Sequence, residues 1–464
     1  MNEYIKLFVD SWSRAEHGFY DIQELVDWVE VLNQKTEVQI EKCALDDDAF
    51  WYYNQENGSI QNRLGSFFSI TGLQKIVDGN VVFEQPIIIQ NEIGYLGILC
   101  KKLDGVLHFL MQAKIEPGNI NNIQISPTIQ ATKSNFQQKH GGKRPNYLEF
   151  FLEAEKYTIL FDQIQSEQSS RFYHKRNRNI MVMLPEDVEV PVHPNYRWMT
   201  LGQIKQLMKI DNLVNMDTRT VIATIPYAMW TSEKDLNIQN CFDDKALYVS
   251  IFEKPQKNYL PQIYRYINNK KMFNETETKI VALDKLSQWE RTKEGVFCKG
   301  EADYQVIFCD ISIEGREVQN WKQPLFEAKG RAVFGLFTRI NEDGRREFLV
   351  HGKEEIGCFD QIELGPTLQL EPVYKVEDLD EIEKDFLNRY EAKQGVVKDV
   401  ILSEEGGRFY HEENKNIIIE LAPNAINDLP EGYFWVDFYT LNHLIQVNNC
   451  LNIQLRNLLS LLDM

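Results

Sequence analysis

No apolar run in the chain is long enough to cross a bilayer. The start, MNEYIKLFVDSWSRAEHGFYD, has no basic segment followed by an apolar block and a small-residue cleavage site, so a secretory leader is not expected. The seven cysteines are scattered, odd in number and never spaced CxxC. That pattern excludes a disulfide framework or a zinc ribbon and predicts free thiols in a reducing compartment. HExxH, an EF-hand loop, GxGxxG and the P-loop are all missing, so neither a metal, a nicotinamide nor ATP hydrolysis is indicated. Positive charge is scarce: 50 Lys and Arg against 69 Asp and Glu leave a net −19. Such a surface disfavours nucleic acid as a partner, because polyphosphate binding needs broad positive potential. The expectation is a cytoplasmic protein of 464 residues with two or three domains, 43% hydrophobic residues and a mean hydropathy of −0.39.

What is present is a long-period repeat. EQPIIIQNEIGYLGIL (Glu84 to Leu99) answers KQPLFEAKGRAVFGLF (Lys322 to Phe337). ISPTIQ answers LGPTLQ, SEQSSRFYHKRNRNI answers SEEGGRFYHEENKNI, and VNMDTR answers LNIQLR. CALDDDAFW and RWMTLGQIKQL have weaker partners in the same order, and the offset stays between 237 and 240. The chain therefore reads as two homologous modules, 1–225 and 226–464, each large enough to bury a core.

Within a module, strands dominate and helices follow. GSFFSITGLQKIV, NVVFEQPIII and LHFLMQAKIE read as β-rich, with turns at Asp78-Gly79 and Asp104-Gly105. A helix is predicted from Asn146 to Tyr157, with Leu148, Phe151 and Leu152 on one face. Another starts after a Thr200 N-cap, with Leu201, Ile204, Leu207 and Met208 as its stripe. The fold class is α+β, with Tyr227 to Asn240 connecting closely packed modules.

Four stretches of the first module are dense in polar groups: QAKIEPGN, SPTIQATKSNF, KHGGKRPNYLEFF and SEQSSRFYHKRNRN. The last places Arg171, Lys175, Arg176 and Arg178 within eight residues. Guanidinium groups make forked hydrogen bonds to phosphate oxygens, so a pyrophosphate suits them. A solvated basic loop or an ion-pair patch between subunits suits them as well. The second module has Glu412, Glu413, Asn414 and Lys415 where the first has Lys175, Arg176, Asn177 and Arg178, so the charge goes from +3 to −1. The first module is then the better candidate for an anion site. His140, beside Gly141-Gly142, is either an acid–base group or a surface-loop histidine. His174 and His411, flanked by aromatics, read as structural.

These stretches, together with FFSITGL, EIGYLGIL and the second module's IELGPTLQ, SEEGGRFY and LNIQLRNLL, resemble the NDP-hexose 2,3-dehydratases of deoxysugar biosynthesis. The resemblance spans nearly the whole chain and includes the duplication. It implies a tandem pair of Nudix-like α/β/α modules, a cytoplasmic homodimer and no cofactor. REV at Arg316 to Val318 and EEIG at Glu354 to Gly357 look like fragments of a Nudix box, but neither module has its full spacing. The implied reaction is loss of the C2 hydroxyl and C3 proton from a dTDP-4-keto-6-deoxy-D-glucose-type substrate. The 3,4-diketo-2,6-dideoxy product would pass to a 3-ketoreductase. In the expected site, Lys114, Tyr173 and His140 are the catalytic candidates. Gln130, Thr132, Ser134 and Asn135 would line the sugar pocket, Arg171, Lys175 and Arg176 would hold the diphosphate, and Arg144, Tyr147, Arg178 and Arg408 are further substrate-binding candidates. A Nudix-type pyrophosphohydrolase and a non-catalytic sugar-nucleotide-binding protein stay open as alternatives.

Overall fold

A computed structural model describes residues 3–45, 50–65, 67–133, 144–230, 237–314 and 318–464. It is α+β, built from two repeated halves. Each half has a larger mixed sheet of seven strands. In the first, the order is Thr158–Ser166, Arg176–Leu184, Gly94–Leu103, Val106–Ile115, Tyr196–Met199, with Ile123–Ser126 and Ile129–Ala131 as side strands. In the second, Val396–Ser403, Glu413–Glu420, Val333–Ile340, Arg346–Glu354 and Tyr433–Asp437 repeat that order. The strands Gly94–Leu103 and Arg176–Leu184 pair in parallel, as do their counterparts Val333–Ile340 and Glu413–Glu420.

The sequence of Gly94–Leu103, GYLGILCKKL, is nearly continuous in apolar residues because both faces are covered. Leu96, Ile98 and Cys100 enter one core, and Tyr95 and Leu99 enter another on the opposite face. Asp104 and Gly105 (φ 49° and 83°) turn the chain into Val106–Ile115; Asp78 and Gly79 (φ 50° and 74°) do the same between Ser69–Val77 and Asn80–Ile89. Two successive positive φ values are what a tight hairpin needs, hence Asp-Gly.

The halves are not self-contained. The strand Val38–Cys43 pairs with Tyr304–Ile313 in the second half's smaller sheet. Reciprocally, Glu277–Val281 pairs with Ser69–Val77 in the first. The largest core draws on both halves, from Phe8, Phe109 and Leu207 to Phe348, Leu444 and Leu458. Each module does bury a core of its own, around Phe151 in the first half and Phe386 in the second, but the largest core is shared between them. Arg219 and Arg456, matched positions on the helices Met216–Ala223 and Ile453–Ser460, cross between halves to the carbonyls of Ser403 (2.9 Å) and Ser166. An arginine buried this way is held by charge-assisted hydrogen bonds rather than by solvent.

The helix at Leu201–Leu207 carries the expected Thr200 cap, with Gln203 closing a capping box. The helix expected over Asn146 to Tyr157 is shorter: Leu148–Leu152, then a 3-10 turn at Ala154–Lys156. Leu148 and Phe151 are buried, but Leu152 faces out, 45% exposed. All seven cysteines are free thiols. Among the described residues, no helix is long and apolar enough to cross a membrane.

Candidate active site at the junction of the repeats

A cavity of 560 Å³ opens where the halves meet. The first half supplies Lys114 at the end of Val106–Ile115 and Glu116 just beyond it. It also supplies Gln130 from Ile129–Ala131, Lys175 and Asn177 at the start of Arg176–Leu184, and Asp217 from the first turn of Met216–Ala223. The second half supplies Glu405, Gly407, Arg408 and Trp321.

Most of these side chains are fixed by neighbours. Lys114, only 16% exposed, lies 3.0 Å from Glu116. Gln130 donates to the same carboxylate oxygen (3.0 Å) and accepts from Asn215 (3.2 Å). Lys175 donates to Asn177 (2.9 Å) and to the Glu92 carbonyl, and Asn177 donates to Glu167 (2.8 Å). Arg408 grips Gln90 through Nε and Nη2 (3.1 and 3.0 Å), and its flat face lies over Phe67 and Phe68.

Burial and crowded carboxyls set the electrostatics. Burial pulls the Lys175 ammonium down to about 8, opposed by Glu167 and Glu405. It pushes the Glu405 carboxyl up to about 7, with Arg408 opposing and Glu116 and Glu167 adding to the rise. Burial, then Glu167, Glu405 and Glu116, hold Asp217 well above the usual carboxylate range.

The matching position in the second half is filled. Glu371 stands where the first half has Thr132, and Glu412 where it has Lys175. Arg171 occupies the space between them, 2.8 Å from Glu371 and 3.9 Å from Glu412, with its guanidinium 4.3 Å above Tyr304. Gln369 donates to Glu355 (3.1 Å) and accepts from Asn452 (2.8 Å), as Gln130 does with Glu116 and Asn215. Lys353 turns instead to Glu383 (3.2 Å).

Of the residues expected from sequence, Lys114, Gln130, Thr132, Lys175 and Arg408 line the cavity. Six do not. Arg171, 1% exposed, is spent across the halves. Arg176 lies 3.7 Å over Phe359. Arg178 pairs with Asp162 and donates to the Tyr95 hydroxyl (2.8 Å), so it buttresses a lining residue. Tyr173 stacks on His174, whose N–H donates to the Gly357 carbonyl. Tyr147 donates to the Pro191 carbonyl (2.6 Å), and Arg144 pairs with Glu149 at the surface. Ser134, Asn135 and His140 lie outside the described residues. Sequence reasoning missed Glu116, Asp217 and Glu405. For two of them the signal was divergence between the repeats, Asp217 against Gln454 and Glu405 against Gln168; Glu116 is matched by Glu355 and carried no such signal.

A half-open, largely apolar cavity with an ammonium, carboxyls of shifted protonation and a stacked arginine is the equipment of an acid–base enzyme for a small anionic substrate. Comparison with known families sharpens that class. Residues 22–225 and 260–462 each match the NDP-hexose 2,3-dehydratase family, and the chain belongs to it. It is 34% identical over 457 residues to a dTDP-4-dehydro-6-deoxy-alpha-D-glucopyranose 2,3-dehydratase of Saccharopolyspora spinosa, covering 98% of this chain and 93% of that protein. A protein of the same name from Streptomyces violaceoruber is 35% identical over 430 residues, 91% of this chain and 92% of the relative. One from Amycolatopsis orientalis is 32% identical over 445 residues, 94% and 89%.

Proposed function

We propose that the chain removes water from dTDP-4-keto-6-deoxy-D-glucose, taking the C3 proton and the C2 hydroxyl, and does so in the junction cavity. The observation that carries the reading is the family match in both repeats. The cavity supports the location, because only there do the expected Lys114, Gln130, Lys175 and Arg408 converge.

The C4 ketone acidifies the C3–H, and the charge that develops lands on O4. Lys114 donates a hydrogen bond to that oxygen, and its partner Glu116 receives the C3 proton. A fixed charged donor is worth most where burial excludes water. Arg408 and Lys175 hold the diphosphate, which replaces Arg171 and Arg176 in that role. Gln130 and Thr132 face the sugar. The C2 oxygen leaves as water, and the enol becomes a 3,4-diketo-2,6-dideoxy sugar without change of oxidation state overall. Such a diketone is reactive, so a 3-ketoreductase is the proposed downstream partner.

Each half is read as Nudix-like; its mixed sheet with cores on both faces supports this. A homodimer belongs to the same reading. Val81, Val82, Phe83 and Ile280, each about half exposed on one small sheet, are apolar surface of the kind that contact with a second copy would cover.

The test is incubation with the 4-keto substrate and a 3-ketoreductase. A reduced 2-deoxy sugar nucleotide supports the proposal. Release of dTMP would point to a pyrophosphohydrolase, and tight binding without turnover to a binding protein.

A further inference from the structure

Asp217 enters the cavity from the first turn of Met216–Ala223 and is 3% exposed. Among the described residues its carboxyl makes no hydrogen bond and no ion pair; the Glu405 carboxyl beside it is likewise without one, whereas Lys114, Glu116, Gln130 and Lys175 are all engaged. Asn215, two positions earlier, caps the helix on the Thr218 N–H (2.9 Å) and grips Gln130 (3.2 Å), so the turn carrying Asp217 is rigid. The carboxyls beside it, Glu167 behind the wall and Glu405 and Glu116 on the cavity, penalise a further negative charge, and Lys114 only partly offsets them. Burial, and then these carboxyls, hold the Asp217 carboxyl well above the usual carboxylate range and so favour its protonated form. In the second repeat the matching residue is Gln454, whose amide has no partner on either atom. An amide there cannot serve as an acid, and that half's cavity is the one filled by Arg171.

We propose that Asp217 is the general acid that protonates the C2 hydroxyl as it leaves. The role rests on the reading of the site given above. The C3–H bond breaks, its proton goes to Glu116, and its electron pair forms the enolate. The C2–O bond then breaks as the enolate pair forms the C2=C3 bond, and the Asp217 proton completes the departing water. The enol proton on O3 returns to the Asp217 carboxylate and the proton on Glu116 passes to C2. Both groups are then restored and the net change is loss of one water.

The experiment compares Asp217→Asn with the unchanged full chain on two substrates: the 4-keto sugar nucleotide and its 2-deoxy-2-fluoro analogue. Fluoride leaves as an anion and needs no proton. The variant should lose roughly 10²- to 10⁴-fold in kcat on the hydroxyl substrate, the range a positioned acid contributes. Fluoride release from the analogue should stay within a few-fold. Equal slowing on both substrates, or slowing on neither, overturns the role. Should the Asn variant fail to fold, judged by dTDP binding in calorimetry, Asp217→Ser is read in the same way. If the unchanged chain releases neither water nor fluoride, the functional reading itself fails, an outcome distinct from failure of the Asp217 role alone.

Discussion

Arg171 of the first repeat lies 2.8 Å from Glu371 of the second, so a residue that reads as a phosphate ligand in sequence is a bolt between the halves. Its counterpart Arg408 crosses in the opposite direction but meets the neutral Gln90, which leaves its charge uncompensated by a direct ion pair at the cavity. The two arginines share a position in the repeat and differ in task because their partners differ.

Replacing each should separate the tasks. Arg171→Ala strands the buried Glu412 and the partly exposed Glu371 and should cost up to about 3–5 kcal/mol of stability, the range for breaking a buried pair. Arg408→Ala should weaken dTDP by roughly ten- to a hundredfold, the worth of a charge-assisted hydrogen bond of about 1.5–3 kcal/mol. Denaturant unfolding and titration calorimetry on both variants check this. Arg171→Ala weakening dTDP more than Arg408→Ala does, with stability intact, would return Arg171 to the binding site.

Lys114→Met keeps the apolar stem of the side chain and removes the ammonium that faces Glu116. Turnover of the 4-keto substrate should fall by about 10²- to 10³-fold, as for loss of one oxyanion donor. Binding of dTDP, which lacks the sugar, should change little. A rate near that of the unchanged chain would remove Lys114 from the chemistry.

Lys114, Gln130 and Lys175 were legible in the sequence because strand ends dense in polar residues interrupt apolar runs. The repeat was legible too, since matched segments such as SEQSSRFYH and SEEGGRFYH keep their order. What sequence spacing could not reveal is that the halves exchange strands and point matched residues at each other. Arg171 and Lys175 are four apart and look like one cluster. The short strand Phe172–Tyr173 runs between them along Asn80–Ile89 and sends them to different sites. Glu405 was overlooked for the same reason: it belongs to the second repeat but serves the cavity of the first. Asp217, in a helix turn of otherwise structural residues, differs from Gln454 by a chemistry that only the cavity makes meaningful.

Glu355, the second-half match of Glu116, is pushed up to about 8, first by burial and then by Glu371 and Glu363. Its ordinary value is 4.5, so between that pH and about 8 the folded protein holds a proton that the unfolded chain has released. Stability from this group is therefore full at low pH and declines as pH rises through that window. Glu355→Gln removes the titration and can still accept from Gln369. The variant should match the unchanged chain near pH 5 and gain on it steadily towards pH 8, read as thermal midpoints across a buffer series. A difference that stays level with pH would show that Glu355 is not a buried proton-holder.

The cavity also depends on two glycines where each half meets a strand end of the other. Gly118 donates to the Gly406 carbonyl (2.7 Å) and accepts from the His411 N–H (2.8 Å). Gly357 makes the matching pair with Ser169 (2.9 Å) and His174 (2.8 Å). A Cβ on Gly118 would stand 1.5 Å from the Phe409 carbonyl oxygen, and one on Gly357 2.0 Å from that of Phe172. Both obstacles are backbone, which has no rotamer to yield, so the halves must move apart. Glu116 and Pro117 precede Gly118, and Glu405 and Arg408 flank its partners, so separation should open the cavity as well. Gly118→Ala should therefore lower both stability, by more than the about 1–3 kcal/mol of ordinary overpacking, and kcat/KM. Gly300→Ala, where an added Cβ has open space, should change neither. Unfolding and turnover measured on both variants decide the matter, and a Gly118→Ala protein with an unaltered melting point would mean that the halves do not meet as closely as this contact requires.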